Sequence, residues 1–134
     1  MKKILEGKGK FDVKMRSQSG QEDSNGEVTR FSYQKEYTGD LQGFSTGEML
    51  SHMTSSEGSA GYVSIGKSKG VLRDKRGPFL LQHYGIMEGG EDRLIVEIIP
   101  DSADSEVKGL WVTMVIHVMD GMHSYEFEFN YDAD

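Results

Sequence analysis

WVTMVIHVMDGMHSYEFEFNY, residues 111–131, decides the fold. At its centre lies Asp120-Gly121, which suits a two-residue type I′ turn because both central positions need positive φ. A turn there pairs Met119 with Met122, Val118 with His123, Ile116 with Tyr125 and Met114 with Phe127. Side chains alternate across a strand. One face of the hairpin therefore carries Val112, Met114, Ile116, Val118, His123, Tyr125, Phe127 and Phe129, and it is the expected core. The other face carries Trp111, Thr113, Val115, His117, Met119, Met122, Ser124, Glu126, Glu128 and Asn130.

The same period of two runs upstream. Phe11, Val13 and Met15 oppose Lys10, Asp12, Lys14 and Arg16; Phe31, Tyr33 and Tyr37 oppose Arg30, Ser32, Gln34, Glu36 and Thr38. Such alternation indicates half-buried antiparallel strands. Lys35 is the one charge on the apolar face of its strand. Further strands are predicted over Leu41–Met53, Gly61–Lys67, Phe79–Met87, Arg93–Ile99, Trp111–Met119 and Met122–Tyr131. Gly39-Asp40, Gly58, Gly70, Gly77-Pro78, Gly89-Gly90 and Asp120-Gly121 read as turns between them. Gln18–Glu27 and Asp101–Lys108 read as polar loops, and no linker divides residues 1–134, so a single domain is expected. Strands with no helical cover must hide their edges. The expectation is an all-β fold, a single closed antiparallel β-barrel of about eight strands in meander order.

Composition narrows the function classes. The chain has 134 residues, with Lys+Arg 15 against Asp+Glu 22, a formal net charge of −7. A surface of that sign repels phosphate backbones and anionic lipid, so neither nucleic acid nor membrane is an expected partner. Zero cysteines exclude disulfides, thiolate metal sites and thiol nucleophiles. No apolar stretch reaches the roughly 7–15 residues of a secretory segment, and cytoplasm is the expected location.

Four strings in order carry a resemblance: Gly39-Asp40-Leu41-Gln42-Gly43, Gly58-Ser59-Ala60-Gly61-Tyr62-Val63, Arg76-Gly77-Pro78-Phe79-Leu80-Leu81-Gln82-His83-Tyr84-Gly85, and Gly121-Met122-His123-Ser124-Tyr125-Glu126-Phe127. With these the chain resembles the bacterial family called domain of unknown function 3224, over nearly its whole length. The resemblance implies a small closed barrel similar to that of allene oxide cyclase. It implies no activity.

Several motifs have plainer readings. Gly43-Phe44-Ser45-Thr46-Gly47 matches the pattern of a nucleophile elbow, but strand flanks it on both sides and no helix follows. Gln21–Ser32 places Asp23, Asn25 and Gly26 at calcium-loop offsets, yet Gln21 and Ser32 occupy positions that require carboxylates. His52, His83, His117 and His123 form no local metal pair, so neither metal nor cofactor is expected.

The candidate ligand-binding residues are Tyr33, Glu48, Gln82, His83, His123 and Tyr125. Glu48 shares a strand face with Phe44, Thr46, Leu50 and His52. If that face lines the barrel, Glu48 is a buried carboxylate suited to acid or base work; the plainer reading is a solvent-facing residue or one paired with Lys35. Gln82 and His83 point to opposite faces, so only one can line a cavity. The expected function is binding of a small hydrophobic ligand inside the barrel. Isomerase or cyclase chemistry would use Glu48 as base and Tyr125 or His123 as donor. The alternative is a structural or interaction module whose interior is filled by its own eight Met, six Phe and six Tyr. Trp111, Val115, Met119 and Met122 on the outer hairpin face suggest a homo-oligomer, a dimer by preference, unless the Asp101–Lys108 loop or the N-terminus covers them.

Overall fold

A computed structural model describes residues 4–17, 28–89 and 91–131. Eight strands follow one another: β1 (Leu5–Ser17), β2 (Thr29–Gly39), β3 (Leu41–Met53), β4 (Ala60–Leu72), β5 (Lys75–Glu88), β6 (Glu91–Ile98), β7 (Leu110–Met119) and β8 (Met122–Tyr131). Each is antiparallel to the next, and β1 pairs with β8 to close the meander into a barrel. In the terminal hairpin, Met119 faces Met122, Val118 His123, Ile116 Tyr125 and Met114 Phe127. Asp120 and Gly121 have φ of 53° and 78°, as the type I′ reading requires.

Two expected turns lie inside strands instead. Gly70 belongs to β4 and Gly77-Pro78 to β5, while the chain reverses at Arg73-Asp74 with Arg73 at φ 56°. The glycines there serve close approach rather than reversal. A Cβ on Gly77 would stand 2.5 Å from the Asp104 carbonyl oxygen and 2.7 Å from Val107 Cγ2. Removing it lets the short 3-10 turn Ser105–Val107 seat against β5, with Val107 fully buried. The expected Gln18–Glu27 loop, and Asp23, Asn25 and Gly26 of the calcium-like pattern, lie outside the described residues. The Gly43–Gly47 pattern runs within β3, where Ser45 is buried and no elbow forms.

The interior divides into a floor and a mouth. At the floor, where the β2–β3 and β4–β5 turns lie, Tyr37, Leu41, Leu72, Phe79, Leu81, Tyr125, Phe127 and Phe129 pack into a continuous cluster. Inward glycines make room for the rings: Phe127 lies over Gly7, and Tyr125 over Gly9. The Tyr125 hydroxyl shares its proton between the carbonyls of Thr38 (2.7 Å) and Leu41 (3.0 Å), and accepts the Leu41 amide at 3.0 Å. At the mouth, where β1 ends and β8 begins, Lys35, Ser64, His83 and His123 join apolar side chains around an open space. The wall is thinnest between β6 and β7, whose ladder consists of Val96–Met114 and Glu97–Thr113.

Tyr125→Phe keeps the ring but strands a buried Leu41 amide. It should destabilise the protein by about 1–3 kcal/mol in urea unfolding monitored by fluorescence. An unchanged midpoint would mean that the hydroxyl does not tie β8 to the β2–β3 turn.

Candidate functional site

The phase of each strand decides which residues meet at the mouth. On β2, Tyr33, Lys35 and Tyr37 point inward; on β5, Phe79, Leu81, His83 and Gly85 do so. These choices follow from bulk. The Tyr33 ring crosses the neighbouring strand, and its hydroxyl lies 2.5 Å from where a Cβ on Gly47 would stand. It would also collide with a Cβ on Gly66. Only the small face of β3, with Gly43, Ser45 and Gly47, fits beneath such a ring. The bulky face of β3, with Phe44, Glu48 and Leu50, is therefore outside.

That settles two corrections. Glu48 is on the outer surface, its side chain 57% exposed, and it accepts a hydrogen bond from Arg30 Nε at 2.7 Å. It pairs with Arg30 rather than Lys35 and cannot act on anything in the barrel, so the cyclase reading loses its base. Gln82 is also exposed, while His83 is 4% exposed and faces inward. The alternation left that choice open because both faces of β5 are apolar.

A cavity of about 330 Å³ occupies the mouth, at the low end of the roughly 300–1,000 Å³ typical of small-molecule pockets. Of the expected residues, Tyr33, His83 and His123 line it. Tyr125 does not; its hydroxyl is committed to backbone at the floor, and its expected role as a ligand contact is corrected to a structural one. The walls are mostly apolar, with Phe11, Val13, Met49, Leu94, Ile116 and Val118 among them. Tyr33 and Ser64 hydroxyls share a hydrogen bond of 2.8 Å across the β2–β4 gap. The His123 ring packs against Phe11 at a tilt of 41°, with centroids 5.0 Å apart. Asp92 and Arg93 of β6 stand at the rim.

Lys35 is the residue that sequence reasoning noticed and did not place. It is 8% exposed and lines the cavity. Its Nζ sits 4.9 Å from the Phe11 ring centroid and 5.1 Å from that of Tyr33. Among the described residues no ion pair involves it. Cation–π contacts contribute about 0.5–2 kcal/mol each, less than the several kcal/mol that burying a charge costs. Burial accordingly lowers the Lys35 pKa to about 8. His83 is pushed down further, to about 3, first by burial and then by the nearby Lys35 charge. It is a neutral imidazole at working pH, and its ring lies 6.5 Å from that of Tyr62. Burial raises the phenols: Tyr33 upward, and Tyr62 to about 12. Lys35 thus stands beside the neutral His83 imidazole and neutral hydroxyls on an apolar wall, with His123, Asp92 and Arg93 also lining the cavity. The signal available in the sequence was Lys35 itself, an inward lysine between Tyr33 and Tyr37.

Among the described residues, no three His, Asp or Glu side chains gather as a metal set, and no helix is long and apolar enough to cross a membrane.

The model of the family described as protein of unknown function (DUF3224) matches residues 7–129. A crystal structure of a DUF3224 family protein of unknown function from Shewanella oneidensis MR-1 shares 41% identity, covering 98% of this chain and all of that one, with a TM-score of 0.91. No curated protein matches the chain. The chain belongs to the DUF3224 family.

The Lys35 shift has a definite sign. Its folded pKa of about 8 lies below the ordinary 10.5, so between those values the unfolded chain binds more protons. Stability then rises with pH across that window and is lost as pH falls through it. Lys35→Met should remove that rise, on the order of 3 kcal/mol, and should be more stable than the parent at pH 7. Parallel stability curves from pH 7 to 10.5 would show that Lys35 is solvated in the folded state.

Proposed function

We propose that this DUF3224 protein is a binding barrel, which takes a small, mainly apolar molecule into the mouth cavity. The observation that carries this reading is the division of the interior. The floor is packed with aromatics, while the mouth leaves a walled space of about 330 Å³ with a few placed polar groups. A purely structural barrel gains nothing from an unfilled half, since voids forfeit packing contacts. The short β6–β7 ladder offers the place where the wall can part to admit a ligand. In this reading the barrel is of the allene oxide cyclase type that the family resemblance implies. In the same reading the protein works in the cytoplasm.

The same barrel, in our reading, pairs with a second copy. The expected patch on β7 and β8 is outward, with Met119 75% exposed, and the Asp101–Lys108 loop lies against β5 instead of over it. That patch is interrupted, however, by the His117–Glu126 pair and by Glu128. A longer apolar row crosses four strands in register: Leu50 beside Val63, Val63 beside Tyr84, Tyr84 beside Ile95. All four are exposed. A continuous row on a sheet face can meet its own copy about a two-fold axis, so we place the dimer contact there.

Two measurements test these readings. Cyclohexanol, a neutral apolar probe, should shift the NMR signals of Tyr33, Met49 and His83 while leaving Tyr37 at the floor unmoved. Filling the mouth with Leu94→Trp should abolish the shifts; shifts that survive it would place binding elsewhere. Light scattering at tens of micromolar should give a dimer mass that Tyr84→Glu converts to a monomer and Met119→Glu does not. A monomer from the parent chain would remove the dimer.

A further inference from the structure

We propose, resting on the binding reading above, that the natural occupant of the mouth is a monoanion, an apolar monocarboxylic acid whose carboxylate pairs with Lys35 Nζ. A ligand without charge would leave Lys35 as it stands now, an ammonium more than nine-tenths buried with two aromatic faces for company and no counter-ion among the described residues. A carboxylate supplies the missing partner. Charge-assisted pairs of this kind are strong when the surroundings exclude water.

The charge count favours one negative charge over two. His83 is held neutral by burial and by Lys35, so Lys35 is the one buried cation among the described residues. A phosphate dianion would bring an uncompensated charge against Phe11, Val13 and Leu94. At the rim, Arg93 pairs with Glu88 at 3.5 Å, so it adds no free cation for a second negative charge. The tail has apolar walls to lie on, and the cavity matches about eleven liquid waters at about 30 Å³ each, which sets the ligand at roughly ten non-hydrogen atoms. Burial leaves Lys35 mostly protonated at neutral pH, so the anchor is charged when the ligand arrives.

Every group facing Lys35 bears on the pH dependence. Phe11 and Val13 of β1, Met49 of β3 and Ile116 of β7 carry no charge. Tyr33 and Tyr62 are raised by burial, and His83 is lowered. Of the other charged or ring groups at the cavity, Arg93 pairs with Glu88, Asp92 acts on Tyr62, and His123 packs against Phe11. Lys35, lowered to about 8, titrates within the range of pH 7.5 to 9.5.

The test compares octanoate, octanamide and octyl phosphate by calorimetry on the refolded, ligand-stripped protein. Octanoate should bind about tenfold or more tighter than octanamide at pH 7, and tighter than octyl phosphate. Its affinity should fall as pH rises from 7.5 to 9.5, while that of octanamide stays level. Lys35→Met should bind octanoate and octanamide equally. The pH profile of the parent protein keeps the test valid if the variant folds poorly. Equal binding of octanoate and octanamide by the parent, or an octanoate affinity flat with pH, overturns the carboxylate anchor and leaves the binding barrel standing. Tighter binding of octyl phosphate overturns the monoanion. Failure of all three ligands and of cyclohexanol overturns the binding barrel along with its anchor.

Discussion

The Tyr125 hydroxyl over Gly9 is the contact on which the rest of the barrel depends. Gly9 pairs with Tyr125 across the β1–β8 closure and with Gly39 across β1–β2. A side chain at Gly9 would strike both the Thr38 carbonyl and the phenol. With none there, the ring passes over β1 and its oxygen reaches the backbone of the β2–β3 turn. One residue of the last strand thereby fastens the first three. A carbonyl or amide turned inward at a barrel end must find a partner or incur the full cost of desolvation, and Tyr125 supplies it for Leu41. Asp40 continues the tie outward, accepting from the Lys8 amide at 2.8 Å. The closed floor follows, and with it the constraint that any free space must lie at the other end.

Period-two alternation made the barrel legible because a strand's register is a local property. The Asp120-Gly121 turn fixed every pair of the last hairpin, since nothing beyond two residues enters a type I′ choice. Where the sequence misled, a distant partner was responsible. Glu48 looked inward because Phe44 and Leu50 are the apolar members of its strand. Those residues are outside because Tyr33, from the neighbouring strand, claims the space above Gly47. Gly70 looked like a turn for the same reason: a glycine needed for close approach and one needed for reversal carry the same letter. Tyr125 and Tyr33 both read as inward tyrosines. Only the depth of each along the barrel shows that one hydroxyl ends on backbone and the other at the cavity with Ser64.

Lys35 shows the limit from the other side. Its inward phase was plain, yet an inward lysine usually finds a carboxylate, and the nearest candidate in the alternation was Glu48. The outward phase of β3 gives that carboxylate to Arg30 instead. What the sequence could not supply was the loss of a partner, which depends on which way a third strand turns.

Floor and mouth therefore represent opposite solutions to burying polar groups. Tyr125 meets three backbone atoms in a packed surround, and removing one partner there can only cost stability. Lys35 and His83 are buried with their charge or proton affinity suppressed and without matching partners among the described residues. Such a pair weakens the folded state at neutral and acid pH, so a methionine and a phenylalanine would serve a purely structural barrel better. Proteins keep destabilising polar groups where an occupant compensates them. The floor's strength makes the mouth's weakness affordable: three hydrogen bonds at one hydroxyl, and aromatic rings seated on glycine, leave the upper half free to be shaped by what it holds.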